Sequence, residues 1–453
     1  MISSPQRRGT GTAKPGRLFR WQVLTLALML VGYSGYYLCR SNFSVVLPLI
    51  VDELAARGLA PDVARIRLGT IASLGVLAYA AGKFPAGAFS DFFGGRRNFL
   101  GGMIGSVAFT LLFALAGGLP LFTLAWIGNR FVQSLGWVGM VKISSRWFSY
   151  QSYGTVMGIL SLSFLFGDAV SRSFMAWLIG RGLGWRGIFM VAGGMLFLLF
   201  LINLVLLKEN PGAVGETEPE GNPLAIVTDL GTELDRQGSQ VNKWHHLRPL
   251  FTNYGFWLVC VLSFGVTLVR ETFNLWTPTY FIEAVGLSKA SAAQQSALFP
   301  LFGGLSVLLA GYVSDRLGQG GRAAIIFYGL LLTGAILFGL GYFEFGSSRV
   351  LPVVLVTLVA FLMIGPYSYL AGAIALDLGG KQGSAITCGM IDGIGYLGGI
   401  LAGDSVARVS TTYGWKGAFG ILAVVVWLSS LAAFLYRRSL RTKAIIPALA
   451  EES

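Results

Sequence analysis

Two arginines stand where a charge is costly. Arg40 lies in GYYLCRSNFSVVLP (Gly35 to Pro48) and Arg270 in LVRETFNLWTP (Leu268 to Pro278), each within an apolar run long enough to cross a bilayer. A guanidinium at that depth costs roughly 2.5–3.5 kcal/mol on insertion scales, so it marks a functional site by default. Its planar fork bonds phosphate or carboxylate bidentately and stays charged at any relevant pH. Two such groups facing each other across a pseudo-two-fold axis would suit a dianion. Pairing of Arg270 with the adjacent Glu271 is disfavoured, because neighbours on a helix point about 100° apart.

Other polar groups accompany them. Tyr36 precedes Arg40 by one turn and shares its face, which favours it over Tyr37; Asn274 and Tyr280 follow Arg270. These side chains are expected to bond phosphate or sugar oxygens. Lys83 either adds a third positive charge or snorkels to the surface. Asp168 and Arg172 have the i, i+4 spacing of an intrahelical pair, although a membrane carboxylate can also couple to protons. Asp392 has no partner along its helix and carries the same ambiguity. Arg130 is a candidate counter-charge to one of these acids.

No arrangement suggests an enzyme. The chain has no P-loop, GxSxG or HExxH motif. Cys39, Cys260 and Cys388 sit in apolar runs without ligand spacing, and His245 and His246 sit together in a polar loop. No metal or cofactor is implied.

The elements that must hold these residues are membrane helices. Of 453 residues 54% are hydrophobic and 12% charged, about half the charge of an average soluble chain. The expected fold is an all-α membrane protein of twelve spans, near 21–50, 66–90, 98–118, 121–147, 153–180, 186–207, 250–283, 291–315, 323–343, 351–376, 382–408 and 415–436. The expected units are a tail (1–20), a six-helix bundle (21–207), a polar linker (208–248), a second six-helix bundle (249–436) and a basic tail (437–453). With an N-terminus in the cytoplasm, twenty lysines and arginines fall on that side and nine on the other, so both termini are expected inside. The net charge of +13 is then a topology signal and not a nucleic-acid footprint. No secretory signal is read at the N-terminus, and a bacterial inner membrane and a monomer are expected.

The halves repeat. Arg40 and Pro48 recur as Arg270 and Pro278, offset by 230, and GWRGIF (Gly184 to Phe189) recurs as GWKGAF (Gly414 to Phe419) at the same offset. GAFSDFFGGRR (Gly87 to Arg97) answers GYVSDRLGQGGR (Gly311 to Arg322). Parallel repeats of this kind place substrate at their interface near the midplane. The loops carrying Asp91, Arg96, Arg97, Asp315, Arg316 and Arg322 are expected to make and break charge-assisted bonds between helices as the halves rock.

GYYLCRSNFSVVLP, LAYAAGKFPAGAFSD, LVRETFNLWTPTYF and GPYSYLAGAIALDLGGKQGSAITCGMIDGIGYLGG resemble segments of the organophosphate:phosphate antiporters of the major facilitator superfamily. The resemblance implies that Arg40 and Arg270 bind a phosphoryl group, that Lys83 lines the path, and that an organic phosphate is exchanged for inorganic phosphate. The chain departs from glycerol-phosphate carriers at Gly167-Asp168, where they have His-Asn, and in SFGVTLV before Arg270, which lacks a tyrosine. A proton-coupled organic-anion symporter and a membrane sensor of sugar phosphate are the alternatives.

Overall fold

The computed structural model describes residues 16–219, 251–343 and 348–451. Much of the 208–248 linker, both histidines and most of the N-terminal tail lie outside these residues. Among the described residues the regular structure is helical. The first half comprises α1 (Arg17–Leu38), α2 (Asn42–Ala56), α3 (Pro61–Phe93), α4 (Gly95–Leu115), α5 (Leu119–Trp147), α6 (Tyr150–Gly180) and α7 (Trp185–Leu206). The second comprises α8 (Tyr254–Glu283), α9 (Lys289–Ser296), α10 (Leu298–Tyr342), α11 (Val350–Ser368), α12 (Ala375–Leu401) and α13 (Asp404–Glu451).

Among the described residues, ten stretches are long and apolar enough to cross a membrane. Two adjustments bring them to the expected twelve. Thr387–Leu440 joins two spans across Gly414, whose φ of 69° is non-helical. In addition α5, 29 residues long, is diluted by Asn129, Arg130 and Gln133. The chain is therefore an integral multi-pass membrane protein. Gly184 and Gly414, the paired glycines of the GW repeat, both stand immediately before a span. In α10 two spans, Lys289–Val313 (with α9) and Gly320–Tyr342, run on through the stretch between them.

The first span is broken at Arg40, which was expected inside a continuous helix. Cys39 and Arg40 donate to the carbonyls three residues back, Tyr36 and Tyr37 (3.1 and 3.2 Å), which tightens and ends α1. The chain restarts at Asn42, whose Oδ1 accepts from the Phe43 amide at 2.7 Å. Within α2, Pro48 lacks the amide hydrogen that would bond back along the helix. The matching α8 is continuous through Arg270.

Apolar cores fill each half, and the one around Phe113 in the first half also takes in Trp276, Ala293, Val406 and Ala407 of the second. In the first, Phe113 stacks on Phe122 and Phe189 (4.8 and 4.7 Å between centroids) and meets Phe43 edge-on at 5.8 Å. The halves meet along the repeat axis. Ser44 Oγ donates to the carbonyls of Asn274 and Leu275 at 2.8 and 2.7 Å. Ser44 and Asn274 are 230 residues apart, the offset of the repeat, and equivalent residues that touch lie close to the two-fold axis.

The contacts between halves concentrate at the end remote from the termini, the far face. There Lys289 pairs with Asp52, Arg65 with Glu283 at 2.5 Å, and Thr70 Oγ1 donates to Asp404 at 2.6 Å. Beneath these, Gly69 of α3 meets Gly403 backbone to backbone. A Cβ at Gly403 would lie 2.2 Å from the Gly69 carbonyl oxygen.

Candidate functional site

Between the halves is a cavity of about 510 Å³, within the range of small-molecule sites. Among the described residues its walls carry five basic side chains, Arg40, Lys83, Arg130, Arg172 and Arg270, and three acids, Asp168, Glu271 and Asp392. Tyr37, Tyr79, Tyr367 and Tyr396 also line it.

Three of the basic groups are paired. Arg172 Nε bonds Asp168 Oδ1 at 2.9 Å, the i, i+4 pair its spacing allows, and Ser41 Oγ donates to the same oxygen. Arg172 also donates to the Asn274 carbonyl at 2.8 Å, tying α6 to the other half. Lys83 Nζ bonds Asp392 Oδ2 at 2.9 Å across the halves. Asp392 thus has the partner that its own helix lacks, and Lys83 points into the cavity.

Arg270 corrects an expectation. Its Nη2 bonds Glu271 at 2.9 Å, because two long side chains that leave a helix at different angles can curl together at their tips. Its guanidinium carbon also lies 4.7 Å from the Tyr367 ring centroid. Arg40 and Arg130 instead share Tyr79, at 4.5 and 4.9 Å from its centroid. Neither has a carboxylate within ion-pair distance among the described residues. Arg130 is therefore not a counter-charge bound to an acid.

The tyrosine expectation also changes. Tyr36 faces away, donating from its hydroxyl to the Phe99 carbonyl at 2.5 Å, whereas Tyr37 lines the cavity with Arg40 5.3 Å from its centroid. The break after Leu38 ends the periodicity on which the face of Arg40 was judged. Tyr280 is buried among Phe281, Trp415 and Phe419 away from the cavity. Asn274 does line it. Tyr79, Tyr367 and Tyr396 were missed from sequence, and Glu271 was considered only as a disfavoured partner of Arg270. The spacing of Tyr79 and Lys83, one turn apart on α3, was the available signal for Tyr79.

The arginine loops hold helices together. Arg96 donates to the Leu207 and Leu204 carbonyls at 2.6 and 2.5 Å. The Glu209 carboxylate accepts from the Gly95 and Arg96 amides at 2.9 and 2.7 Å, capping the α4 N-terminus. Arg322 pairs with Asp377 at 2.9 Å, Arg316 lies over Tyr312, and Arg97 is exposed. The side chains of Asp91 and Asp315 lie outside the described residues.

The profile of the Major Facilitator Superfamily matches residues 29–403. The chain belongs to that superfamily. A probable hexose phosphate transport protein of Chlamydia pneumoniae is 25% identical over 88% of this chain and 87% of its own length. The membrane sensor protein UhpC of Escherichia coli (strain K12) is 27% identical over 91% of this chain and 90% of its own length. A glycerol-3-phosphate transporter of Bacillus subtilis (strain 168) is 23% identical, covering 86% and 87%. These names bear out the resemblance to the organophosphate:phosphate antiporters, and they are names of transporters and sensors, not enzymes. Among solved structures, a D-xylose–proton symporter superposes with a TM-score of 0.72 at 15% identity, covering 92% of this chain and 98% of that one. That likeness shows the fold alone.

Proposed function

We propose that this protein is a secondary transporter that exchanges a phosphorylated small metabolite for inorganic phosphate by alternating access. The observation that carries this reading is the cation-rich cavity on the repeat axis, closed at the far face. Arg40 presents a guanidinium fork there, with Arg270, Lys83 and Asn274 on the surrounding wall. A phosphoryl dianion offsets the desolvation of such groups better than a neutral sugar can. The hexose phosphate and glycerol-3-phosphate relatives support the substrate class.

Rocking of the halves would break the far-face pairs and the Lys83–Asp392 bridge in turn, with 21–207 and 249–436 as the moving bundles. Positive residues on the terminal side favour cytoplasmic termini, and the short loops a bacterial inner membrane. A proton-coupled mechanism through Asp168 or Asp392 is less favoured, because each acid is bonded to a cation. The sensor reading has support in the likeness to UhpC; it expects binding without flux.

Ligand-dependent melting of the purified protein tests the substrate class. Hexose phosphates, glycerol 3-phosphate, phosphoglycerate or inorganic phosphate should raise the melting temperature in proportion to ln(1 + [L]/Kd), and glucose and glycerol should not. Equal shifts with the neutral sugars, or none with any phosphate, would overturn the proposal.

A further inference from the structure

The cavity charges do not balance. Asp168, Asp392 and Glu271 are hydrogen-bonded to Arg172, Lys83 and Arg270 respectively. Two guanidiniums, Arg40 and Arg130, remain without an acid of their own among the described residues. Glu271 is in Coulombic range of both, but its hydrogen bond goes to Arg270.

Arg130 has the marks of a ligand group and not of a structural one. It is only 4% exposed, lines the cavity, and has no hydrogen bond or ion pair among the described residues. Its neighbours on α5 donate their amide hydrogens to other helices and to each other. Asn129 Nδ2 donates to Thr110 at 2.9 Å and to the Ser106 carbonyl at 3.2 Å. Gln133 Nε2 donates to Asn129 at 2.7 Å and to the Cys39 carbonyl at 3.2 Å. These bonds pin α5 to α4 and to the break beside Arg40, so the two guanidiniums are held in a fixed relation. Gly75 of α3 makes the room, since a Cβ there would lie 3.0 Å from Arg130 Cγ.

The ring of Tyr79 is shared by both cations. Distances of 4.5 and 4.9 Å to its centroid limit the separation of the two guanidinium carbons to 9.4 Å. One phosphoryl group joins guanidinium carbons roughly 8 Å apart when each fork takes its own oxygens at about 2.8 Å, a separation inside that limit. A cation–π contact returns less than the several kcal/mol of burying a charge unpaired. Two like charges beside one ring therefore call for an anion to complete the site.

We propose that Arg130 is a phosphate-binding residue, and that Arg40 and Arg130 together select a doubly charged phosphoryl group. This rests on the reading of the cavity as a phosphate site.

Binding to the purified full chain in nanodiscs at pH 7.5 tests it, with inorganic phosphate, methyl phosphate (mostly a dianion) and dimethyl phosphate (a monoanion) as probes. The wild type should prefer methyl over dimethyl phosphate by at least tenfold. Arg130→Gln should weaken methyl phosphate binding about ten- to hundredfold, the range for a charged hydrogen bond, and reduce that preference. Arg130→Lys should restore part of it as a point charge. A wild type that binds none of the probes would overturn the phosphate site itself. A wild type that binds them without preferring the dianion would overturn only the selection by Arg40 and Arg130, and does not depend on a variant folding. An Arg130→Gln protein with wild-type affinity and preference would remove Arg130 from the site.

Discussion

Gly403→Ala should unseat the far-face closure. The added Cβ would lie 2.2 Å from the Gly69 carbonyl oxygen, 2.4 Å from Ser73 Oγ and 2.8 Å from the Ser73 amide nitrogen. Two of these are backbone atoms and cannot turn aside as a side chain would, so α3 and the turn between α12 and α13 must part by about 1 Å to reach ordinary contact. The same spot holds Ser73 Oγ donating to the Ile400 carbonyl at 2.5 Å and the Asp404 amide donating to Ser73 Oγ at 3.0 Å. Overpacking of this kind costs about 1–3 kcal/mol. Charged against the closed state alone, it shifts the closed-to-open ratio by roughly five- to 150-fold. Spin labels at Asp62 and Ala284, placed in a chain without its native cysteines, report that ratio, because the Arg65–Glu283 pair holds these segments together when the far face is closed. The wild type should give mainly a short distance and Gly403→Ala a longer one. An unchanged distance distribution would refute a rigid glycine seal at this crossing.

Other perturbations follow from the pairings. Glu271→Gln should leave Arg270 without its bonded acid, add one net positive charge to the cavity, and tighten phosphate binding several-fold in a calorimetric titration. Exchanging the bridge charges in Lys83→Asp/Asp392→Lys should recover transport lost by either single change, as read by uptake into vesicles, if the bridge itself matters. Phe113→Ala should destabilise the first half by about 3–5 kcal/mol, seen as a lower melting temperature, because its ring packs against those of Phe43, Phe122, Trp126, Trp185 and Phe189.

The fold was legible because its signals are local or periodic. Apolar length gave the spans, and the Arg40/Arg270 and GW repeats gave the two halves; Ser44 touching Asn274 is the physical form of that repeat. The site was only partly legible. Lys83, Arg172 and Asp392 were found from the cost of charge in apolar helices, but their partners were not, since Lys83 meets Asp392 across 309 residues. Glu271 was set aside on ideal helix geometry, which does not constrain the ends of long side chains. Tyr36 was preferred to Tyr37 on a helical period that the break at Cys39–Ser41 interrupts. Nothing in the pattern around Arg130 distinguishes a counter-charge from a ligand; only the shared Tyr79 ring does.

Counterflow in reconstituted vesicles tests the central claim most directly. Vesicles loaded with unlabelled phosphate should take up labelled phosphate, an external hexose phosphate or glycerol 3-phosphate should compete, and Arg40→Lys should abolish most of the flux because an ammonium cannot reproduce the fork. Uptake that needs only a pH gradient and ignores internal phosphate would contradict exchange, as would binding without any flux.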